Sequence, residues 1–129
     1  MKLSSAMLCD AAKARDGLLY VIGGGVTRIQ RQSYPADFQC SLALVIDVHQ
    51  SEMSRPHELE VLIQDEDGER LVAAKGGFQL SGADLMVGEH VLLPFTLDIK
   101  GKLAKPGAYS IEVLIDGTHH RTIQFWGVQ

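Results

Sequence analysis

The chain is poor in the residues that announce a specialised protein. Among its 129 residues are two cysteines, one tryptophan and four prolines. Two cysteines cannot build the dense disulfide framework of a small secreted scaffold. Cys9 and Cys40 sit in apolar surroundings and are expected to be buried free thiols of a reducing compartment, although the sequence does not forbid a bridge between them. No apolar run approaches the ~18 residues of a membrane-spanning helix. The segment Met1–Cys9 is not expected to be an export signal, because Ser4 and Ser5 interrupt it and Asp10 follows at once. The expected location is the cytoplasm, with no membrane partner.

Clustered cations are also missing. The formal net charge is −4, and the densest basic stretch is Arg28 with Arg31. Nucleic acid and anionic membrane surfaces both need concentrated positive charge, so neither is expected as the main partner. Only folding could gather a local basic patch from distant segments. Helical periodicity is absent too. No segment carries apolar residues at 3.6-residue spacing over ten or more positions.

What remains is period two. Phe38, Cys40, Leu42, Leu44, Ile46 and Val48 alternate with Gln39, Ser41, Asp47 and His49, the pattern of a half-buried strand. Leu59, Val61 and Ile63 repeat it. So do Val72, Ala74, Phe78 and Leu80, then Val91 to Ile99, then Tyr109 to Ile115, then His119 to Val128. Pro94 marks its strand as an edge or bulged one. Asp67-Gly68 and Asp116-Gly117 read as hairpin turns, and Asp16-Gly17 as a turn. Leu3–Cys9 reads as a short strand, Asp10–Gly17 as a wide loop or one helical turn, and Leu18–Ile22 as a buried strand. Gly23-Gly24-Gly25 reads as a tight turn or bulge. The expectation is one all-β domain over 1–129, an antiparallel, immunoglobulin-like β-sandwich of about eight strands, with a closed barrel as the alternative.

Three segments together resemble a family of small bacterial proteins to which no activity is attached. They are CDAAKARDGLLYVIGGG, SRPHELEVLIQDEDGERL and LAKPGAYSIEVLIDG. The resemblance implies a bacterial or phage-related origin and a sandwich fold. It implies no catalytic residues.

The chemistry-bearing residues point to no reaction. The glycine triplet lacks the following Lys and Ser or Thr of a phosphate loop, and a strand pattern follows it where a helix would be needed. Gly24 therefore suggests close backbone approach to a ligand or partner at most. Asp65 and Asp67 belong to an acidic turn that lacks the length of an EF-hand loop. Arg55 and His57 sit beside Pro56 in a loop, with His57 expected to anchor it by a hydrogen bond. His49, His57 and Glu52 or Glu58 do not match a zinc spacing. No Gly-x-Ser-x-Gly elbow occurs, and both thiols are expected to face the interior. The chain is expected to be non-enzymatic, with no cofactor.

Several apolar residues fall on strand faces expected to point outward: Ala43, Val45, Leu62, Leu92, Leu114 and Trp126. Gathered on one face they would make an apolar patch of the kind that marks an interface. The expected function is a binding or assembly module with a protein partner or a second copy, a homodimer among the forms allowed. The alternative is a small-ligand or calcium-binding sandwich that uses the loops at Gly24, Arg55, His57, Asp65 and Asp67.

Overall fold

The computed structural model describes residues 1–81 and 84–129. Its strands are β1 (Lys2–Arg15), β2 (Leu18–Gly24), β3 (Arg28–Gln30), β4 (Ala36–His49), β5 (His57–Asp65), β6 (Arg70–Phe78), β7 (His90–Leu103), β8 (Gly107–Ile115) and β9 (Thr118–Val128). One 3-10 turn, Gln50–Glu52, interrupts the series. The strands form two sheets, ordered β2-β1-β4-β7 and β3-β9-β8-β5-β6. All pairings are antiparallel except that of β3 with β9.

The alternation along β4 aims Leu42, Leu44 and Ile46 into the space between the sheets, where none reaches solvent. Opposite them lie Val61 and Ile63 of β5 and Ile111 and Val113 of β8. Burying each such side chain stabilises the fold by roughly 1.5–3 kcal/mol. Phe125 closes one end of this layer. It stacks on Tyr109 with ring centroids 5.4 Å apart and meets Phe38 at 6.1 Å.

The Asp-Gly pairs work as their chemistry demands. Asp16 and Gly17 have φ of +52° and +74°, and Asp116 and Gly117 have +52° and +78°. These left-handed pairs make two-residue turns whose twist matches the strands they join.

Three local expectations change. Asp10–Arg15 is neither loop nor helix but the second half of β1, which runs unbroken from Lys2 to Arg15. Its alanines suggested a helix, yet Ala12 and Ala14 alternate with Lys13 and Arg15, and pairing with β2 overrides propensity. Leu18–Ile22 is not buried on both faces: Leu18, Tyr20 and Ile22 are exposed, and Leu19 and Val21 are half-buried. The glycine triplet does more than bend one strand. It ends β2 and carries the chain across to the other sheet, where β3 pairs parallel with β9. Two strand pieces expected to adjoin thus lie in different sheets, so the described residues form nine strands where about eight were expected.

Candidate interaction surface

β1 pairs with β4 only as far as Cys9, opposite Ser41. Beyond that point Ala11–Arg15 pair with β2 alone, on one side. The outer part of the hairpin is therefore a two-stranded ribbon, and it bends back so that β2 also approaches β4 and β7, the far strands of its sheet. Register places Ile22 beside Ala11, Tyr20 beside Lys13 and Leu18 beside Arg15. Cross-strand partners share a face, so Leu18, Tyr20 and Ile22 form one row. They are 59%, 53% and 70% exposed. Lys13 and Arg15 flank the row, while Leu19 and Val21 turn the other way and are half-buried.

Glycine fixes the base of this hairpin. Gly23 has φ of +63°, and a Cβ there would lie 2.5 Å from Oδ2 of Asp10. At Gly24 a Cβ would come within 2.8 Å of the Met7 sulfur. The amides of Gly25 and Val26 then both donate to the Leu8 carbonyl, at 3.0 and 2.9 Å, turning the chain out of the sheet.

The four outer strands differ in how they discourage association. β3 has only three residues. β6 carries Arg70, Lys75 and two glycines, and Lys75 lies 3.2 Å from Glu60. β7 carries Pro94, Asp98, Lys100 and Lys102, and is the edge strand that Pro94 suggested. β2, with the sequence LLYVIGG, has neither a charge nor a proline. Charge, proline and shortness are the usual guards on an open edge, and β2 has none of them.

The apolar residues singled out from the sequence do not share one surface. Val45 and Leu92 are on the outer face of the β2-β1-β4-β7 sheet, and Leu62, Leu114 and Trp126 are on the opposite face of the molecule. Ala43 is fully buried. Leu62 and Leu114 are half-buried among charged groups, where Glu58 and Glu60 meet Lys75, and Glu112 accepts from His119 and Thr122. Trp126, 42% exposed, lies beside Arg28 in the β3–β9 register. Alternation shows which side chains leave the core, but not by which of two faces. The exposed row on β2 was missed because its five apolar residues show no alternation in hydropathy. The turn signal Asp16-Gly17 after the charged Lys13 and Arg15 was the available clue to a hairpin.

The loop residues are occupied with the fold's own backbone. His57 is buried. Its Nδ1 lies 2.7 Å from Asp116 Oδ2, and its Nε2 lies 2.6 Å from the Glu52 carbonyl. Burial alone would lower the His57 pKa, but these two acceptors outweigh it and raise it. Asp116 is held below its ordinary range by the hydrogen bonds from His57 and the Glu58 amide. Arg55 is exposed nearby. Asp65 Oδ1 accepts from the amides of Asp67 and Glu69, both at 2.9 Å, shaping the β5–β6 turn. Asp67 faces Lys105 at 3.1 Å. Among the described residues no three His, Cys, Asp or Glu side chains converge as a metal site. Both thiols are free. Cys40 points into the core, and burial pushes it up to about 11. Cys9 shares the outer face with its partner Ser41, yet it too is fully covered and raised, first by burial and then by Asp10 and Asp98.

The profile of a family of unknown function, DUF6941, matches residues 4–126. The chain belongs to that family. DUF6941 assigns this chain no activity, and no curated protein matches it. Weak resemblances to solved structures include the following two. One is the Pseudomonas fluorescens alkylpurine DNA glycosylase AlkC bound to DNA containing an abasic site analog, at 16% identity and a TM-score of 0.41. The other is a beta-glucosidase from Listeria innocua in complex with glucose, at 10% identity and 0.43. The likeness covers 80% and 81% of this DUF6941 chain but only 28% and 15% of theirs.

Proposed function

We propose that this chain is a non-enzymatic assembly module that self-associates through β2. The supporting observation is the exposed row Leu18, Tyr20 and Ile22 on an outer strand with no charge or proline. The setting proposed is a bacterial cytoplasm, as the family resemblance and the two free thiols suggest.

A second copy suits this edge by symmetry. Two β2 strands can pair antiparallel about a two-fold axis at Tyr20. Leu18 of one copy then lies opposite Ile22 of the other, and the two tyrosines face each other across the axis. The contact is self-complementary, as a closed dimer requires. The two β1–β2 ribbons then share one ladder, with backbone hydrogen bonds supplying much of the affinity. Each copy contributes three large apolar side chains that are more than half exposed. A stable interface buries about 800 Å² per partner, so the dimer belongs to the weak, concentration-dependent class.

Native mass spectrometry over a concentration series tests the reading. The wild type is expected to show a rising dimer fraction that Tyr20→Glu abolishes and Trp126→Glu leaves intact. A dimer lost with Trp126→Glu and kept with Tyr20→Glu would place the contact on the other sheet and overturn it.

A further inference from the structure

Folding assembles a cationic groove that no stretch of the sequence displays. β4 begins where β7 finishes, and their register sets Asp37 opposite Lys102, Phe38 opposite Gly101 and Gln39 opposite Lys100. The connection from β3 lays Arg31 alongside. These seven residues line an open groove of about 570 Å³. A second recess of about 190 Å³ shares Arg31, Phe38 and Gln39 with it and adds Arg28 and Asp10. Four of the chain's twelve Lys and Arg residues therefore meet at one end of an acidic protein.

The charges are only partly compensated. Asp37 lies 3.8 Å from Lys102, and both are largely exposed. Among the described residues Arg28, Arg31 and Lys100 have no carboxylate partner. Arg31 is also held in place. Its Nε donates to the Asp37 carbonyl at 3.2 Å and its Nη1 to the Gln30 carbonyl at 2.7 Å. Two carbonyls from the flanks of the sheet-to-sheet crossing thus fix the guanidinium plane. Nη2 is left with no protein acceptor among the described residues. A guanidinium ordered before binding forfeits less entropy when it meets a ligand, and its fork suits the oxygens of an oxyanion.

We infer that this groove binds a small oxyanion-bearing ligand, with Arg31 as the oriented donor and Lys100 and Lys102 as its flanking charges. The groove's size is that of a small-molecule site. Phe38 is buried beneath it and supplies a floor, where a Cβ on Gly101 would come within 2.9 Å of the ring. The inference is independent of β2, because no residue of the exposed row lines either recess.

Backbone amide NMR titration with inorganic pyrophosphate tests it, with succinate as the carboxylate arm. Saturable shifts are expected at Gln30–Arg31, Asp37–Gln39 and Lys100–Lys102. Arg31→Ala is expected to weaken binding by about tenfold. Because Arg31 also bonds backbone, Lys100→Gln serves as the second variant. Saturable binding lost in both variants and kept in Lys75→Gln supports the site. Pyrophosphate without succinate would define the ligand as a phosphate, and both together would define it as any small oxyanion. Shifts that never saturate, that appear equally around Lys75, or that survive both variants would overturn it. So would saturable binding of oligonucleotide without pyrophosphate, which would identify a macromolecular surface.

Discussion

Asp116 and His57 are 59 residues apart and meet at 2.7 Å, joining the β8–β9 turn to the first residue of β5. The same carboxylate accepts from the Glu58 amide at 2.9 Å through its other oxygen. His57 Nε2 meets a carbonyl, which can only accept. Both ring nitrogens therefore face acceptors, an arrangement that favours the doubly protonated ring and raises its pKa. Asp116 holds φ of +52°, which the following glycine and the turn type support. One aspartate thus shapes a hairpin turn and holds a buried histidine.

That arrangement makes stability depend on pH. The His57 pKa is raised, so its contribution is complete below the ordinary value of 6.5 and fades as pH climbs through the raised value. The Asp116 pKa is lowered, so its contribution is complete above 3.8 and fades as pH falls through the lowered value. Both act fully between 3.8 and 6.5. His57→Gln is expected to cost roughly 1–3 kcal/mol, several degrees in Tm, at about pH 5. Thermal melts of both proteins from mildly acid to alkaline pH check this. The gap should narrow on the alkaline side.

Gly101 tests the packing beneath the cationic groove. A Cβ there meets Phe38 Cε1 at 2.9 Å and Cζ at 3.3 Å, with Val72 at 3.5 Å. Phe38 is buried and touches Phe125, so it has little room to yield. Gly101→Ala is expected to destabilise by about 1–3 kcal/mol, read as a lower urea midpoint with an unchanged slope.

The thiols give a reactivity prediction. Cys40 is raised to about 11 and Cys9 is raised as well, both chiefly by burial. Neither is appreciably thiolate near neutral pH, and the thiolate is the reactive form. Iodoacetamide at mildly alkaline pH should leave the folded protein unlabelled and add two labels after unfolding in urea. Labelling of Cys40 in the folded state would contradict its placement in the core.

The fold was legible where chemistry is local. The eleven-residue alternation of Phe38 to Val48 identified β4, and Asp-Gly pairs identified their turns, with Asp16 and Asp116 and the glycine of each pair at positive φ. The exposed apolar row on β2 was not legible. Leu18 to Ile22 is apolar at every position, so the pattern cannot separate a strand covered on both faces from one left open on one. That difference is set by strand order, a non-local property. Val45 and Trp126 alternate with core residues in the same way, yet they lie on opposite faces of the molecule. Lys100 and Lys102 lie some seventy residues beyond Arg31, and only the β4–β7 register brings them together.

The proposed dimer pairs the edge of β2 with that of a second copy. Amide hydrogen exchange measured across a protein dilution series reads that pairing directly. The account predicts that outward-facing amides between Leu18 and Gly24 exchange slowly in concentrated protein and rapidly in dilute protein, while those of β6 and β7 do not change. Exchange in β2 that is rapid and independent of concentration would contradict it.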